Sequence, residues 1–134
     1  MKKIRNTKPY IGTINIGLQR GYTGEYYEKS DYINFIKQWQ LERTADRKLM
    51  FSPAVYEFDF VCGNLTEKHL AIRFVNYPKQ TVSKKEFRRT VNDLAQQMSY
   101  RFEQNRILVE YTDRTFLFEQ TATTDPKIDK KSEV

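Results

Sequence analysis

The chain has 134 residues, enough for one hydrophobic core, and its 39% apolar content includes nine Tyr, nine Phe and one Trp, so that core is aromatic. No apolar run approaches the ~20 residues of a membrane helix, none follows the basic N-terminus as a secretory leader would, and the lone Cys62 excludes an internal disulfide; a reducing, cytoplasmic setting is expected. The net charge of +6 is uneven, with +4 from residues 1–9 (Lys2, Lys3, Arg5, Lys8), another +4 from 79–106, and none from 10–78. Such a balance suits an anionic partner: a nucleotide, phosphate or nucleic acid.

Residues 1–9 form a polar, basic arm without periodicity. In Tyr10–Gln19, Ile14, Ile16 and Leu18 alternate with Thr13, Asn15, Gly17 and Gln19, which predicts a strand with one small, polar face. Arg20–Lys29, with two glycines, reads as a loop. Ser30 is the expected cap of a helix through Ala45, whose buried stripe is Tyr32, Phe35, Ile36 and Trp39.

Ser52–Pro78 predicts a long hairpin. Tyr56, Phe58, Phe60 and Cys62 alternate with Val55, Glu57, Asp59 and Val61; Gly63-Asn64 turns the chain; Leu70, Ile72 and Phe74 then alternate with Ala71, Arg73 and Val75. Alternation alone leaves Tyr56 either in the core with Phe58 and Phe60 or at the rim, facing a ligand. Glu67 lies just after the turn. Residues 81–105 carry the strongest helix pattern, with Ser83 and Glu86 as a capping box and Phe87, Val91, Leu94, Met98 and Phe102 on one face. Residues 106–120 read as a strand, with a second hairpin as the alternative if the chain breaks at Thr112-Asp113-Arg114. Residues 121–134 are polar and predict a disordered tail.

The order βαββαβ predicts an α+β domain over residues 10–120, a ferredoxin-like four-stranded antiparallel sheet with both helices on one face. The open face would then show Thr13, Asn15, Gln19, Glu57, Asp59 and Arg73. Domains of this shape assemble through that sheet, so a homo-oligomer is expected.

One histidine, His69, and one cysteine give no metal-ligand spacing, and no glycine-rich phosphate loop is present, so neither metal nor cofactor is expected. The same element order occurs in RNA-recognition modules, which stack bases on aromatics of the first and third strands. Here the first strand offers no exposed aromatic, and the third ends in Phe74-Val75-Asn76-Tyr77 without the glycine and basic start. A nucleotide- or nucleic-acid-binding role through the basic arm remains the alternative function.

Over roughly Ile11–Phe118, and on the strength of the segments VYEFDF, TEKHLAIRF and RFEQNRILVEY, the chain resembles the phage-type S-adenosylmethionine (SAM) lyases. These enzymes are related in fold to the trimeric PII-like signalling proteins. A CRISPR-associated branch, acting in antiviral defence, cleaves the SAM–AMP conjugate. The resemblance implies a homotrimeric lyase with Tyr56 and Glu67 as catalytic residues and Gln104 and the following position as substrate contacts. The family commonly has glutamate there, and this chain has Asn105. It also implies a reaction that needs no outside nucleophile, because the substrate's own carboxylate displaces the sulfonium. Basic residues Lys79, Lys84, Lys85, Arg88 and Arg89 would suit the extra phosphate of SAM–AMP.

Overall fold

The alternating runs fold as strands and the stretches with 3–4 residue spacing fold as helices. A computed structural model describes residues 1–78 and 82–120; the expected disordered tail and Lys79 lie outside the described residues. The elements run β1 (Ile11–Gly17), α1 (Lys29–Ala45), β2 (Ala54–Cys62), β3 (Leu65–Val75), α2 (Lys84–Arg101), β4 (Arg106–Tyr111) and β5 (Thr115–Glu119).

They make one five-stranded sheet in the order β2-β3-β1-β4-β5, with each neighbouring pair antiparallel. The expectation of four strands is therefore corrected. The chain reverses at Thr112-Asp113-Arg114, where the Tyr111 N–H donates to the Arg114 carbonyl at 2.8 Å, and β5 pairs back on β4. β1 and β2, joined by α1, run in the same direction on either side of β3.

One face of the sheet carries the core. Ile14, Ile16, Leu70, Ile72, Phe74, Ile107 and Val109 join Tyr32, Ile36 and Trp39 of α1 and Phe87, Val91, Leu94 and Met98 of α2 in a single buried cluster. Both predicted helical stripes thus meet the same sheet face. Tyr32 stacks on Phe102 with ring centres 4.0 Å apart, and its hydroxyl donates to the Gly17 carbonyl at 2.6 Å. That bond satisfies the one polar atom of a fully buried ring. Helix α1 starts two residues earlier than Ser30 would set it. Glu28 is the N-cap, and its N–H donates to Asp31 at 2.8 Å, which lets the acid at the third helical position close the first turn.

The open face differs from expectation at two positions. Pairing places Glu57 opposite Leu70 and Asp59 opposite Lys68, on the helix side, whereas Tyr56, Phe58 and Phe60 stand opposite Ala71, His69 and Glu67 on the open side. Thr13, Asn15 and Arg73 do lie on the open side. The reason is that β2 is an edge strand running past the end of the helices: both its faces reach solvent, and polarity no longer marks which one is the core. Gly63, in the left-handed region at φ 62°, makes the tight reversal.

Candidate functional site

The site is built at the C-terminal end of α2. Gln104 N–H donates to Ser99 O at 2.9 Å and Glu103 N–H to Tyr100 O at 3.4 Å, the two bonds of a Schellman cap, with Glu103 in the left-handed position (φ 52°) that glycine usually fills. A glutamate tolerates this place because its side chain is tied elsewhere. Arg20 Nε reaches its carboxylate at 2.5 Å and the Tyr27 hydroxyl donates to the same oxygen at 2.8 Å. These two donors, Tyr27 first, hold the Glu103 carboxyl below the usual carboxylate range. The cap thereby staples the loop after β1 to the turn before β4.

Gln104, 9% exposed, is aimed by this cap. Its Nε2 donates to Gln19 O at 2.6 Å and Phe102 O at 2.8 Å, so both amide hydrogens are used inside the protein. The oxygen, Oε1, is left towards β1: a Cβ built on Gly17 would stand 2.7 Å from it and 3.8 Å from His69 Nε2. Gly17 is a glycine because the side chain of Gln104 occupies its place. Gln104 is consequently an acceptor towards anything bound there.

These groups line a cleft of about 610 Å³. Glu67 enters it from the part of β3 that overhangs the end of β1, together with Thr66, Lys68 and His69. Asn105 and Arg106 enter from the start of β4, and Tyr22 and Tyr26 from the loop after β1. Asn105 holds both polar atoms of its amide buried and without a partner among the described residues. Unpaired buried groups of this kind are costly and favour a polar ligand, at roughly 1–3 kcal/mol each. Arg106 is paired with Glu119 at 3.1 Å.

Three of the four residues expected from the sequence, Glu67, Gln104 and Asn105, therefore share one cleft. Tyr56 does not. It sits on the open face of β2, 45% exposed, opposite Ala71, which is four residues or ~13 Å along β3 from Glu67. Its alternative place in the core is ruled out. Of the basic residues suited to a phosphate, Lys84, Lys85, Arg88 and Arg89 lie at the far end of α2, ~20 Å or more from Gln104. Lys84 and Arg88 are paired there with Asp113. The cations at the cleft are instead Lys68 and Arg106.

Sequence reasoning missed His69, Gly17 and the cleft tyrosines. His69 is packed edge-on to Phe60 with ring centres 4.6 Å apart and against Phe58 at 5.7 Å. Its Nδ1 is buried with no partner among the described residues. Burial pushes the imidazole below its ordinary pKa against the opposing pull of Glu67, so the ring is neutral at pH 7. A glycine in an otherwise alternating strand signals a close approach, and Gly17 was legible in that way. Tyr22 and Tyr26 lie in a stretch without periodicity and left no such signal. A smaller cleft of about 350 Å³ between α1 and α2 mixes Glu42, Asp46 and Asp93 with Arg43 and Arg89, and gathers none of Tyr56, Glu67, Gln104 and Asn105.

No protein-family model matches the chain, and no curated protein matches it. Two solved structures are similar in fold. One is a phage SAM lyase in complex with S-methyl-5′-thioadenosine, at a TM-score of 0.67 and 16% identity, covering 92% of this chain and 99% of that one. The other is a phage SAM lyase in the apo state, at a TM-score of 0.62 and 18% identity, covering 86% and 92%. At these identities the likeness is one of fold.

Proposed function

We propose that the protein is a lyase that cleaves SAM, or its AMP conjugate, in the cleft of Glu67, Gln104 and Asn105. The observation that carries this reading is the meeting of those three side chains, far apart in sequence, in a chain whose fold matches a phage SAM lyase over 92% of its length. The step is intramolecular. A carboxylate oxygen of the substrate attacks its own γ-carbon, the bond from that carbon to sulfur breaks, and the electron pair neutralises the sulfonium. The products are homoserine lactone and 5′-methylthioadenosine (or its AMP adduct), and no proton is exchanged with the protein.

Such a reaction asks the site for geometry, because holding the chain in a near-attack conformation accounts for ~7–11 kcal/mol in well-oriented intramolecular cases. Glu67 fixes the substrate's ammonium or ribose hydroxyls through charge-assisted hydrogen bonds. Gln104 Oε1, with its amide hydrogens already committed, accepts from the ammonium end. Asn105 offers a donor and an acceptor without the second negative charge that glutamate would bring. A neutral His69 suits a substrate that carries a sulfonium. In the conjugate, Lys68 is the cleft cation that meets the added phosphate, with Arg106 held beside it by Glu119.

Tyr56 enters this reading through a second copy of the chain. The open face exposes Tyr56, Phe60 (41%), Leu65 (54%), Val75 (42%) and Leu117 (60%), an apolar surface that suits burial between subunits, in a trimer on the family's pattern. Across such an interface Tyr56 presents its ring to the sulfonium of a neighbouring cleft, a contact worth roughly 0.5–2 kcal/mol.

The deciding measurement is incubation with SAM and, separately, with SAM–AMP, followed by detection of methylthioadenosine or its adduct. Turnover of either is expected, and Glu67→Gln should lower it about 10–100-fold, as loss of one charged hydrogen bond implies. Absence of turnover on both substrates removes the reading. Full activity of Glu67→Gln removes the site assignment alone.

A further inference from the structure

We infer that the pole of the molecule opposite the cleft binds single-stranded nucleic acid. Three elements meet at that pole. The arm is anchored by Asn76 Nδ2, which donates to Thr7 Oγ1 at 3.3 Å and to Lys8 O at 3.2 Å, and by Tyr10 packed on Phe87 with ring centres 6.1 Å apart. The β4–β5 turn is tied to the start of α2 through Asp113, which takes Lys84 at 3.0 Å and also Arg88.

The charge of the chain is segregated there. The arm carries Lys2, Lys3, Arg5 and Lys8 with no acid, and Lys84–Arg89 carries four basic residues against Glu86 alone. These two segments hold +7; Asp113 takes up Lys84 and Arg88 and Glu86 takes up Arg89, which leaves the arm and Lys85 as the unpaired positive charge of this pole among the residues named. Lys2, Lys3, Arg5, Lys8, Lys85 and Arg89 are all exposed. The positive N-terminal end of the α2 dipole points the same way.

An exposed aromatic stands beside this charge. Tyr77, 56% exposed, follows Asn76 at the end of β3, beside the anchored arm. Basic side chains that track a phosphate backbone, with a ring on which a base can stack, make the combination that single strands select. An anionic lipid surface would use the same charge and can seat the ring at its headgroups, so vesicles form the contrasting arm of the test. β1 and α2 separate this pole from the cleft by ~20–25 Å, so occupancy of one end does not block the other.

The test uses the full chain and a fluorescein-labelled oligouridine RNA of ~20 nucleotides, followed by anisotropy between about 50 and about 300 mM KCl. Binding should weaken with salt along a log–log slope of about −3.5, as release of roughly five counterions from a single strand gives. Lys2→Glu with Lys3→Glu should weaken binding at least ~10-fold. The same two-site reversal on the exposed face of α1, Lys29→Glu with Lys37→Glu, should change it less than ~3-fold because screening removes distant charges. Tyr77→Ala should lose ~5-fold or more at an unchanged slope. The inference is overturned by no binding of the wild type, by equal losses in the two reversals, by an unaffected Tyr77→Ala, or by tighter retention on phosphatidylserine-containing vesicles than on the RNA.

Discussion

Gly17 is where one added carbon tests the cleft. A methyl there meets Gln104 Oε1 at 2.7 Å, and Gln104 cannot swing aside without giving up its bonds to Gln19 O and Phe102 O. We expect Gly17→Ala to fold and to lose at least ~10-fold in turnover, since displacing a positioning group by an ångström costs that much or more. Gly12, at the other end of β1 and on its core face, makes the contrasting control. Its added Cβ would meet Tyr111 and Phe87 ring carbons at 2.9 and 3.2 Å, and Gly12→Ala should cost ~1–3 kcal/mol of stability by overpacking. His69 gives the pH dependence. Its folded pKa lies below the ordinary 6.5, so the unfolded chain takes up the proton first. The stability it contributes is complete above pH ~6.5 and is lost as the pH falls from there through the depressed folded value. Urea midpoints measured from pH 7 down to 5 should therefore decline, and His69→Asn should flatten that part of the curve.

At the scale of elements, the end of α2 shows a helix terminus doing the work of a binding wall. Glu103 stands in a left-handed position, and its network with Arg20 and Tyr27 offsets the strain. Glu103→Ala keeps the strain and removes the network, whereas Glu103→Gly removes both. Thermal unfolding should rank the glycine variant above the alanine variant, and added salt should narrow the gap between alanine and wild type, because the lost contacts are exposed and charged. This cap was half legible: the run Phe87, Val91, Leu94, Met98 and Phe102 and the Ser83–Glu86 box announce α2, but its end at Arg101 and the turn of Gln104 into the cleft depend on a glutamate where glycine is the readable signal. The hairpin was legible because alternation over nine and eleven residues brackets Gly63-Asn64. Which face of β2 is buried was not, because period two is blind to face and an edge strand beyond the helices has no core to mark one. β5 is legible only as an alternative, since Thr112-Asp113-Arg114 lacks a glycine and five residues carry little pattern. Glu28 gave no cap signal at all: glutamate is an uncommon N-cap, and Ser30 two residues on is a preferred one.

Across the whole molecule, the two sheet faces divide the labour. The helix face is closed by a single core, and the open face keeps Asn15 as its fixed polar point, 6% exposed, donating to Glu110 at 2.7 Å and Leu108 O at 3.3 Å. Around it the aromatic edge of β2 and Leu117 of β5 remain exposed. If subunits meet on this face and Tyr56 serves a neighbour's cleft, activity belongs to the assembly and not to the chain. Specific activity should then fall as the protein is diluted through its dissociation range, in step with mass measured by light scattering. Phe60→Lys with Leu117→Lys places two charges on an apolar interface, so it should give a folded monomer, with unchanged far-ultraviolet circular dichroism and little activity. Mixing separates a shared site from a merely dimer- or trimer-stabilised one. Tyr56→Ala and Glu67→Gln, each impaired alone, should together exceed the mean of their separate rates when dissociated and reassembled, because some clefts then receive an intact Tyr56 beside an intact Glu67. A mixture that shows no such gain while the subunits demonstrably exchange would place Tyr56 outside the reaction and return the catalytic set to the residues of a single cleft.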